Sequence, residues 1–330
     1  MEMILGKQDL DMQSKNNKSN YFGLNEIREV YKNKNTNLET PLVSVQVITY
    51  MHEEFISDCL NGILNQRTDF PVEIIINDDA SIDGTQSIIM NFQKKYPSLI
   101  KTIFQETNQY SISGFKNIKK QINDITLGKY IALCEGDDYW IDPYKLQKQV
   151  DFLQNNLEFS MCFHNSSESY NGKLSSMPFV TLNKNVFTVK DFLYSHIVPT
   201  ASMVYKNNIK LPDWHYKINS GDKLIIFLCA FTGPIYFMDE IMSHYRVNDN
   251  GASRSEDHRG INKIYNMSFL YAHLNTYTDF KYEDVFKKGL EYEIGVHALD
   301  PYRKELKTKL LIKEIIIRIC IKFFNYKRKS

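Results

Sequence analysis

The sequence has few cysteines, few glycines and prolines, almost no net charge and no long apolar run. Its 330 residues include five cysteines, 14 glycines and nine prolines. The cysteines are widely spaced and form no Cys-x-x-Cys pair, which argues against a disulfide framework or a cysteine-rich zinc site and favours a reducing compartment. The low glycine and proline content argues against collagen-like and low-complexity chains.

The absence of charge excess and of long apolar segments narrows the class of protein further. A net charge of +1 argues against a chain whose whole surface binds nucleic acid. No run of about 18 uncharged apolar residues is available to span a bilayer, and the polar residues 1–20 lack the apolar core of a signal peptide. We therefore expect a cytoplasmic protein with no nucleic-acid partner.

Segments typical of strands and of helices alternate from residue 41 onward. The predicted strands are rich in β-branched or apolar residues and are 42–49, 72–76, 99–104, 130–134 and 159–163. Helical spacing of apolar residues in the segments between them predicts βαβ units and largely parallel strands. Ligands of such sheets bind at the carboxyl ends of the strands. Polar residues that follow the strands should therefore meet at one edge.

An acidic turn, Glu135-Gly-Asp-Asp138, follows the fourth predicted strand. Three carboxylates within four residues repel one another unless a cation neutralises them. Oxygen ligands at a strand end suit Mg²⁺ or Mn²⁺, which take their remaining ligands from water and phosphate. Gly136 allows the backbone to approach a ligand closely. The pattern predicts a metal–diphosphate site, and the alternative is a charged turn without an ion.

A second acidic cluster, Asn77 to Thr85, follows the second predicted strand. Asp78 can accept hydrogen bonds from a base N–H or a ribose hydroxyl. Asp83 and Gly84 are typical turn residues, and Thr85 is predicted to cap the next helix.

Three segments in this order, 41–56, 73–85 and 128–149, resemble the family 2 glycosyltransferases with the GT-A fold. The resemblance covers residues 40–165 closely and continues loosely beyond them. It implies an α/β GT-A fold with a mixed central sheet and a helical C-terminal extension. It also implies inverting transfer of a sugar from a nucleotide-diphosphate donor, usually a UDP-sugar, to a glycan or lipid-linked acceptor, with Mn²⁺ or Mg²⁺ as cofactor.

The resemblance assigns donor contacts to the residues after the first two strands. Thr49, Tyr50 and Glu53 would line the nucleoside pocket, and Asp78 would contact the base. These residues would form the part of the site that binds the nucleotide.

The resemblance assigns the metal to the acidic turn. Glu135-Gly136-Asp137 stands where the family has its DxD motif, which makes Asp137 the main metal ligand. Glutamate at position 135 departs from the motif, and its longer side chain can reach the ribose rather than the metal. Asp138 would face the donor sugar or the groups around the metal.

The resemblance also indicates a catalytic base and a phosphate contact. An inverting enzyme needs a base that deprotonates the acceptor hydroxyl. Asp222 stands at the family's position for it, although an ordinary helix N-cap is the alternative. Arg246 either contacts phosphate or pairs with a core carboxylate. Segment 196–202 would contact the acceptor, and the loop 247–259 could close over the donor.

We predict three regions along the chain. They are an N-terminal extension (1–40), a catalytic domain (41–255) and a helical C-terminal region (256–330). Within the catalytic domain, 41–140 would bind the donor nucleotide and 141–255 the acceptor.

The last 28 residues carry ten Lys or Arg and two Glu, with apolar residues at helical spacing. A basic amphipathic helix of this kind binds anionic membrane surfaces. We therefore expect residues 303–330 to attach the protein peripherally to the inner face of the cell membrane. Packing of this helix on the body of the protein is the alternative.

Two other functions compete with glycosyl transfer. A sugar nucleotidyltransferase would carry a glycine-rich basic loop after the first strand, where this chain has Tyr-Met-His-Glu-Glu. A non-catalytic glycan-binding or nucleotide-sugar-binding protein would not need Asp137, Asp138 and Asp222 together.

Overall fold

The computed structural model of the chain describes residues 22–24, 26, 40–170, 173–194, 196–218, 220–247 and 260–297. The predicted tail at the N-terminus, the loop 248–259 and the basic segment 303–330 lie outside the described residues.

Twelve strands are described. They are β1 (Phe22–Gly23), β2 (Val43–Thr49), β3 (Arg67–Thr68), β4 (Val72–Asp78), β5 (Ile100–Phe104), β6 (Tyr130–Glu135), β7 (Tyr139–Trp140), β8 (Met161–Tyr170), β9 (Lys173–Pro178), β10 (Val186–Phe187), β11 (Val204–Lys206) and β12 (Ile235–Val247).

Eight α-helices accompany these strands in the described ranges. They are α1 (Ile56–Leu64), α2 (Thr85–Lys95), α3 (Gln109–Ser113), α4 (Lys116–Ile125), α5 (Lys145–Asn155), α6 (Gly221–Thr232), α7 (Gly260–Tyr277) and α8 (Glu283–His297). The helical nature of the C-terminal region is confirmed for the described part, α7 and α8.

The central sheet is mixed, and its strand order is β10-β12-β8-β11-β6-β2-β4-β5. Strands β6, β2, β4 and β5 run parallel, as the alternating pattern predicts. Strand β11 is antiparallel to both β6 and β8. Strands β8 and β12 are parallel to each other. The two predicted halves of the catalytic domain thus share one continuous sheet, and its carboxyl-end edge belongs to both.

Helices cover both faces of the sheet because the side chains of each strand alternate between the faces. On one face, Val43, Val45 and Val47 of β2 pack with α1, α2 and α5. On the other face, α4 packs against β4, and α6, α7 and α8 pack against β6 and β8. The two layers of helices leave the strand ends as the accessible edge.

Two long strands lie in residues 141–255. Strand β12 runs from Ile235 to Val247, with register shifts against β8 between Met238 and Ser243. Strand β8 extends beyond the predicted 159–163 through a polar segment that is mostly buried. Buried hydroxyl groups pair across the strands, as between Ser166 and Ser243, whose oxygens are 2.6 Å apart. Such pairing offsets the cost of removing polar groups from water.

Each described helix is too short or too polar to cross a bilayer.

A fully buried lysine lies at the first residue of α5. The ammonium of Lys145 is 4.0 Å from the centroid of the Trp140 ring and donates a 2.8 Å hydrogen bond to Gln149 Oε1. Gln149 in turn donates to the carbonyl oxygen of Ser202, which ties α5 to the segment before β11. Burial lowers the pKa of Lys145 to about 7, and nearby Cys134, Cys162 and Asp142 oppose this shift.

This lowered pKa predicts a pH dependence of stability. Between about pH 7 and pH 10 the unfolded chain holds a proton on Lys145 that the folded protein has lost, so folding becomes more favourable as pH rises. Lys145→Met removes this slope of up to about 1.4 kcal/mol per pH unit. The unfolding free energy of the Met variant relative to wild type should therefore be highest at or below pH 7 and fall towards pH 10. Urea unfolding at several pH values measures it, and a constant difference would contradict the prediction.

Candidate active site

The loops after β2, β4 and β6 meet at the carboxyl ends of the strands. The amide of Asp79 donates to Thr49 O at 3.0 Å, and the amide of Gly136 donates to Ile48 O at 3.0 Å. His52 Nε2 lies 3.9 Å from Asp137 Oδ2. These contacts place the residues from the two acidic clusters along one edge of the sheet.

The acidic turn directs its three carboxyl groups into different surroundings. Glu135 is exposed, Asp137 is about one-fifth exposed, and Asp138 is 1% exposed. The surrounding protein and the negative charges of Asp137 and Asp222 raise the pKa of Glu135 to about 8, against the opposing effects of Lys119 and Thr200. Part of this rise in the pKa of Glu135 comes from repulsion by Asp137 and Asp222. A bound cation would reverse that part.

Two charged side chains from other elements face Glu135. Asp222 lies in the first turn of α6, and its charge acts on both Glu135 and Lys119 of α4. Burial lowers the pKa of Lys119 to about 8, although Glu135 and Asp222 favour its charged form. Asp222 thus lies close enough to the acidic turn to act on Glu135, although it is about 85 residues from the turn in sequence.

The base-contacting role predicted for Asp78 is not supported by its geometry. Its carboxylate is fully buried and accepts hydrogen bonds from the Ser81 amide (3.0 Å), the Ser81 hydroxyl (2.5 Å) and Gln86 Nε2 (2.6 Å). A carboxylate has about four acceptor positions, so these three bonds leave little capacity and no exposed surface. Asp78 shapes the loop after β4. Its neighbour Asp79 likewise accepts from the amides of Gln109 and Tyr110.

Glu53 and Thr85 join the loop after β2 to the start of α2. Glu53 Oε2 accepts a 2.8 Å hydrogen bond from the amide of Gly84, and the Thr85 hydroxyl accepts one of 2.9 Å from the amide of His52. The residue that precedes α2 is Gly84, so the predicted capping role of Thr85 is wrong. Thr85 fails as a cap because its hydroxyl bonds to another loop. Of the residues predicted around the nucleoside, Thr49 is buried, whereas Tyr50 and Glu53 are exposed.

Arg246 is held by protein groups and supports the acidic turn. Its guanidinium donates to the carbonyl oxygen of Asp137 at 2.9 Å and to Asp58 Oδ2 at 2.5 Å. It stacks on the ring of Tyr139, 4.3 Å from the centroid. Of the two predicted roles of Arg246, the structure shows pairing with a carboxylate, although Asp58 belongs to a helix surface and not to the core.

Asp138 faces the interior and not the donor sugar, which was one of the two placements predicted for it; the other, among the groups around the metal, stays a prediction. Its Oδ1 accepts a 2.9 Å hydrogen bond from the amide of Arg246, and its Oδ2 is buried without a partner among the described residues. Burial, together with the charges of Asp137 and Glu135, raises the pKa of Asp138 well above its usual range. The reason for this orientation is that β12 passes behind the turn and supplies the amide.

Three residues that the sequence analysis did not single out lie in or beside this cleft. Lys119, His52 and Asp58 all contact or act on predicted site residues. Lys119 is one of several lysines in α4, and only the helical position next to buried Ile118 distinguishes it. No pattern in the sequence indicates which of these lysines faces the cleft.

The carboxylate oxygens of the acidic turn have the chemistry of ligands for a divalent cation. In the part of the chain that the structure describes, no group of three His, Cys, Asp or Glu side chains is arranged to hold a metal ion. Asp137 and Glu135 nevertheless supply carboxylate oxygens, and the charge of Asp137 contributes to the raised pKa of Glu135, which a bound cation would lower. This donor set fits an ion that takes most of its ligands from water and a diphosphate.

Gly136 is required by the close packing of the turn. A β-carbon at this position would lie 2.5 Å from Thr49 Oγ1 and 2.8 Å from His52 Nδ1. The loop after β2 therefore restricts position 136 to glycine.

Gly136→Ala is expected to lower the free energy of unfolding by about 1–3 kcal/mol, because the turn must move away from Thr49. The matched control is Gly295→Ala in α8, where a β-carbon meets nothing within 4 Å. There the helical preference of alanine should raise stability by up to about 1 kcal/mol. Denaturant unfolding measures both, and equal effects would contradict the role of Gly136.

Arg246→Met is expected to cost about 1–3 kcal/mol of stability, because the Asp137 carbonyl loses its donor and the stacking on Tyr139 is lost. Asp58→Asn is the control, since the Asp58 side chain is 56% exposed and its ion pair should contribute less than about 1 kcal/mol. Equal losses in the two variants would mean that the ion pair, and not the carbonyl contact, is what Arg246 supplies.

Comparison with known proteins identifies relatives over most of this fold. An uncharacterized protein of Mycobacterium tuberculosis, Rv1520, is 36% identical over 210 residues, which are 63% of this chain and 60% of that protein. The chain thus spans less than two thirds of that relative. The putative glycosyltransferase EpsH of Bacillus subtilis is 30% identical over 298 residues, 84% of this chain and 77% of EpsH.

A solved structure has a similar fold. Residues 1–349 of S. aureus TarS, in complex with UDP-GlcNAc, superpose with a TM-score of 0.62 over 85% of this chain and 81% of that one. The sequence identity is 17%, so the likeness concerns the fold. It agrees with the mixed sheet and the helical C-terminal region described above.

The model of the family described as glycosyl transferase family 2 matches residues 44–208, which is half of the chain and contains both acidic clusters. With the relatives and the fold in agreement, this chain belongs to glycosyl transferase family 2.

Proposed function

We propose that this protein is an inverting, metal-dependent glycosyltransferase that moves a sugar from a UDP-sugar to a hydroxyl of a glycan or lipid-linked acceptor. The observation that carries the proposal is that Asp137 and Asp222 both act electrostatically on Glu135, which supports a site in which the acidic turn and Asp222 lie near one another. Family membership supports the reaction class. The UDP-GlcNAc complex of TarS supports a uridine donor.

In this proposal Asp222 is the base. Its carboxylate, about one-quarter exposed in the first turn of α6, accepts the proton of the acceptor hydroxyl as that oxygen attacks the anomeric carbon. The C1–O bond to the diphosphate breaks on the opposite side, and its electron pair leaves with the nucleotide. Among the described residues, His196 faces this carboxylate, with its Nδ1 3.8 Å from Asp222 Oδ2.

Asp137 and Glu135 would hold the Mn²⁺ or Mg²⁺ ion, which when bound offsets the negative charge of the departing diphosphate. His52, near Asp137, and the Thr49 hydroxyl, 3.1 Å from His52 Nδ1, support that side of the cleft. Tyr50, almost half exposed, offers an aromatic face and a hydroxyl to the nucleoside. Gly136, Asp138 and Arg246 act by shaping the turn.

The roles of the predicted regions of the chain complete the proposal. Residues 303–330 would bind an anionic membrane surface and bring the enzyme to a lipid-linked acceptor, as their charge and apolar spacing indicate. Residues 41–140 would then bind the donor and 141–255 the acceptor.

The test is a panel of UDP-, GDP- and dTDP-sugars, with and without Mn²⁺, assayed by thermal stabilisation and by slow donor hydrolysis. We expect UDP-sugars with Mn²⁺ to stabilise the wild type by about 2.7 kcal/mol at 100 times their Kd. Asp137→Ala should lose this metal-dependent stabilisation. Asp222→Asn should keep it and lose hydrolysis by at least about 100-fold, as expected for removal of a general base.

The control is Asp124→Asn, an exposed carboxyl in α4 that should affect neither measurement. Stabilisation by no nucleotide would overturn the transferase proposal and favour a non-catalytic role. Full hydrolysis by Asp222→Asn would remove Asp222 from the base position and leave donor binding intact.

A further inference from the structure

A histidine faces the carboxylate that we assign as the base. His196 Nδ1 lies 3.8 Å from Asp222 Oδ2. His196 follows the 3₁₀ helix Val189–Phe192, and Asp222 lies at the start of α6. The pair thus joins the acceptor segment of the chain to the helix that carries the base.

Aromatic packing holds the imidazole beside Asp222. The ring of Phe179 meets His196 edge to face, with centroids 5.9 Å apart, and meets Tyr245 of β12 in the same manner at 5.6 Å. Edge-to-face contacts of this kind restrict the orientation of a ring. About half of the His196 side chain remains exposed.

The charged groups around His196 are Asp222 and Lys223 of α6 and Lys263 of α7. The surrounding protein lowers the pKa of His196, Asp222 raises it, and the two lysines lower it. Lys223 is itself paired with Glu293 of α8 at 3.4 Å. The effects of the surrounding protein and the two lysines outweigh that of Asp222, so the pKa of His196 lies below its usual value.

We infer that His196 is a positioning residue for Asp222: its Nδ1–H donates to Oδ2 and leaves Oδ1 for the acceptor hydroxyl. This inference rests on the proposed function. The 3.8 Å separation exceeds a hydrogen bond, and hydrogen bonds of catalytic groups often shorten only when substrate is bound. A rotation of either side chain by less than 1 Å at its tip closes the gap.

One proton is transferred in this arrangement, and it goes to Asp222. The acceptor proton moves to Asp222 Oδ1 while the new glycosidic bond forms and the C1–O bond to the diphosphate breaks. His196 keeps its Nδ1 proton throughout. If His196 is protonated at lower pH, the imidazolium pairs with Asp222 and weakens it as a base, so activity should fall on the acid side as His196 becomes charged.

Two substitutions separate hydrogen bonding from packing. His196→Phe keeps a ring against Phe179 and removes the donor. His196→Asn keeps an N–H donor near the position of Nδ1 and removes most of the ring. A purely structural role predicts that Phe is the better replacement, whereas the positioning role predicts that Asn is.

The first measurement needs no substrate. NMR titration of the eight histidines in wild type and Asp222→Asn should show a lower pKa for His196 in the variant, because the carboxylate that favours the imidazolium is gone. The other imidazoles serve as internal controls. An unchanged pKa of His196 would overturn the inference alone and would leave the proposed function standing.

The second measurement is hydrolysis of the UDP-sugar that gives the largest Mn²⁺-dependent stabilisation. His196→Phe should lower kcat by about 10-fold or more with unchanged KM for the donor, as for loss of a hydrogen bond to a charged group. His196→Asn should recover most of kcat, and its acid limb should lie at lower pH than that of wild type. Equal losses with an unmoved acid limb would overturn the inference, and no hydrolysis by wild type would overturn the proposed function with it.

Discussion

Repulsion among carboxylates at the end of β6 is the constraint around which the edge of the sheet is arranged. Glu135, Asp137 and Asp138 cannot share one environment, because like charges a few ångströms apart raise each other's pKa. The fold separates them. Glu135 points into the cleft, Asp137 lies near His52, and Asp138 turns inward to the amide of Arg246. Glu135 and Asp137 lie on the cleft side of the turn. In the proposed function, the cation and the diphosphate bind on that side.

The acidic turn depends on distant parts of the chain for its shape. The loop after β2 presses on Gly136, and β12 supplies the Arg246 amide and guanidinium from behind. Strand β12 also pairs with Tyr139 and Trp140 directly after the turn. The half of the domain that is predicted to bind the donor is therefore completed by a strand from the half that is predicted to bind the acceptor. This explains why the carbonyl of Asp137 and the carboxylate of Asp138 have fixed partners in a loop that would otherwise be solvated.

Buried polar contacts join strands and a helix within residues 141–255. Ser166 bonds to Ser243 and Ser167 to His244 between β8 and β12. On the other side, Lys145 and Gln149 connect α5 to the segment before β11. Breaking such contacts leaves buried polar groups without partners, which costs about 1–3 kcal/mol for each group. These contacts therefore fix β8, β12, α5 and the segment before β11 relative to one another.

The local pattern of residues determined the strands, the helices and the place of the site, because apolar periodicity and strand-end position depend on neighbours in sequence. Strands β2, β4 and β6 and the acidic turn are where the pattern predicts them. Tertiary structure alone decided what each side chain does. The orientation of Asp138, the partners of Asp78 and Arg246, and the presence of Lys119 and His196 beside Asp222 follow from contacts between segments up to about 190 residues apart. A sequence read along one segment contains no information on the hydrogen-bond donors that a distant segment supplies, and those donors determine which carboxylate is satisfied inside the protein and which remains free in the cleft.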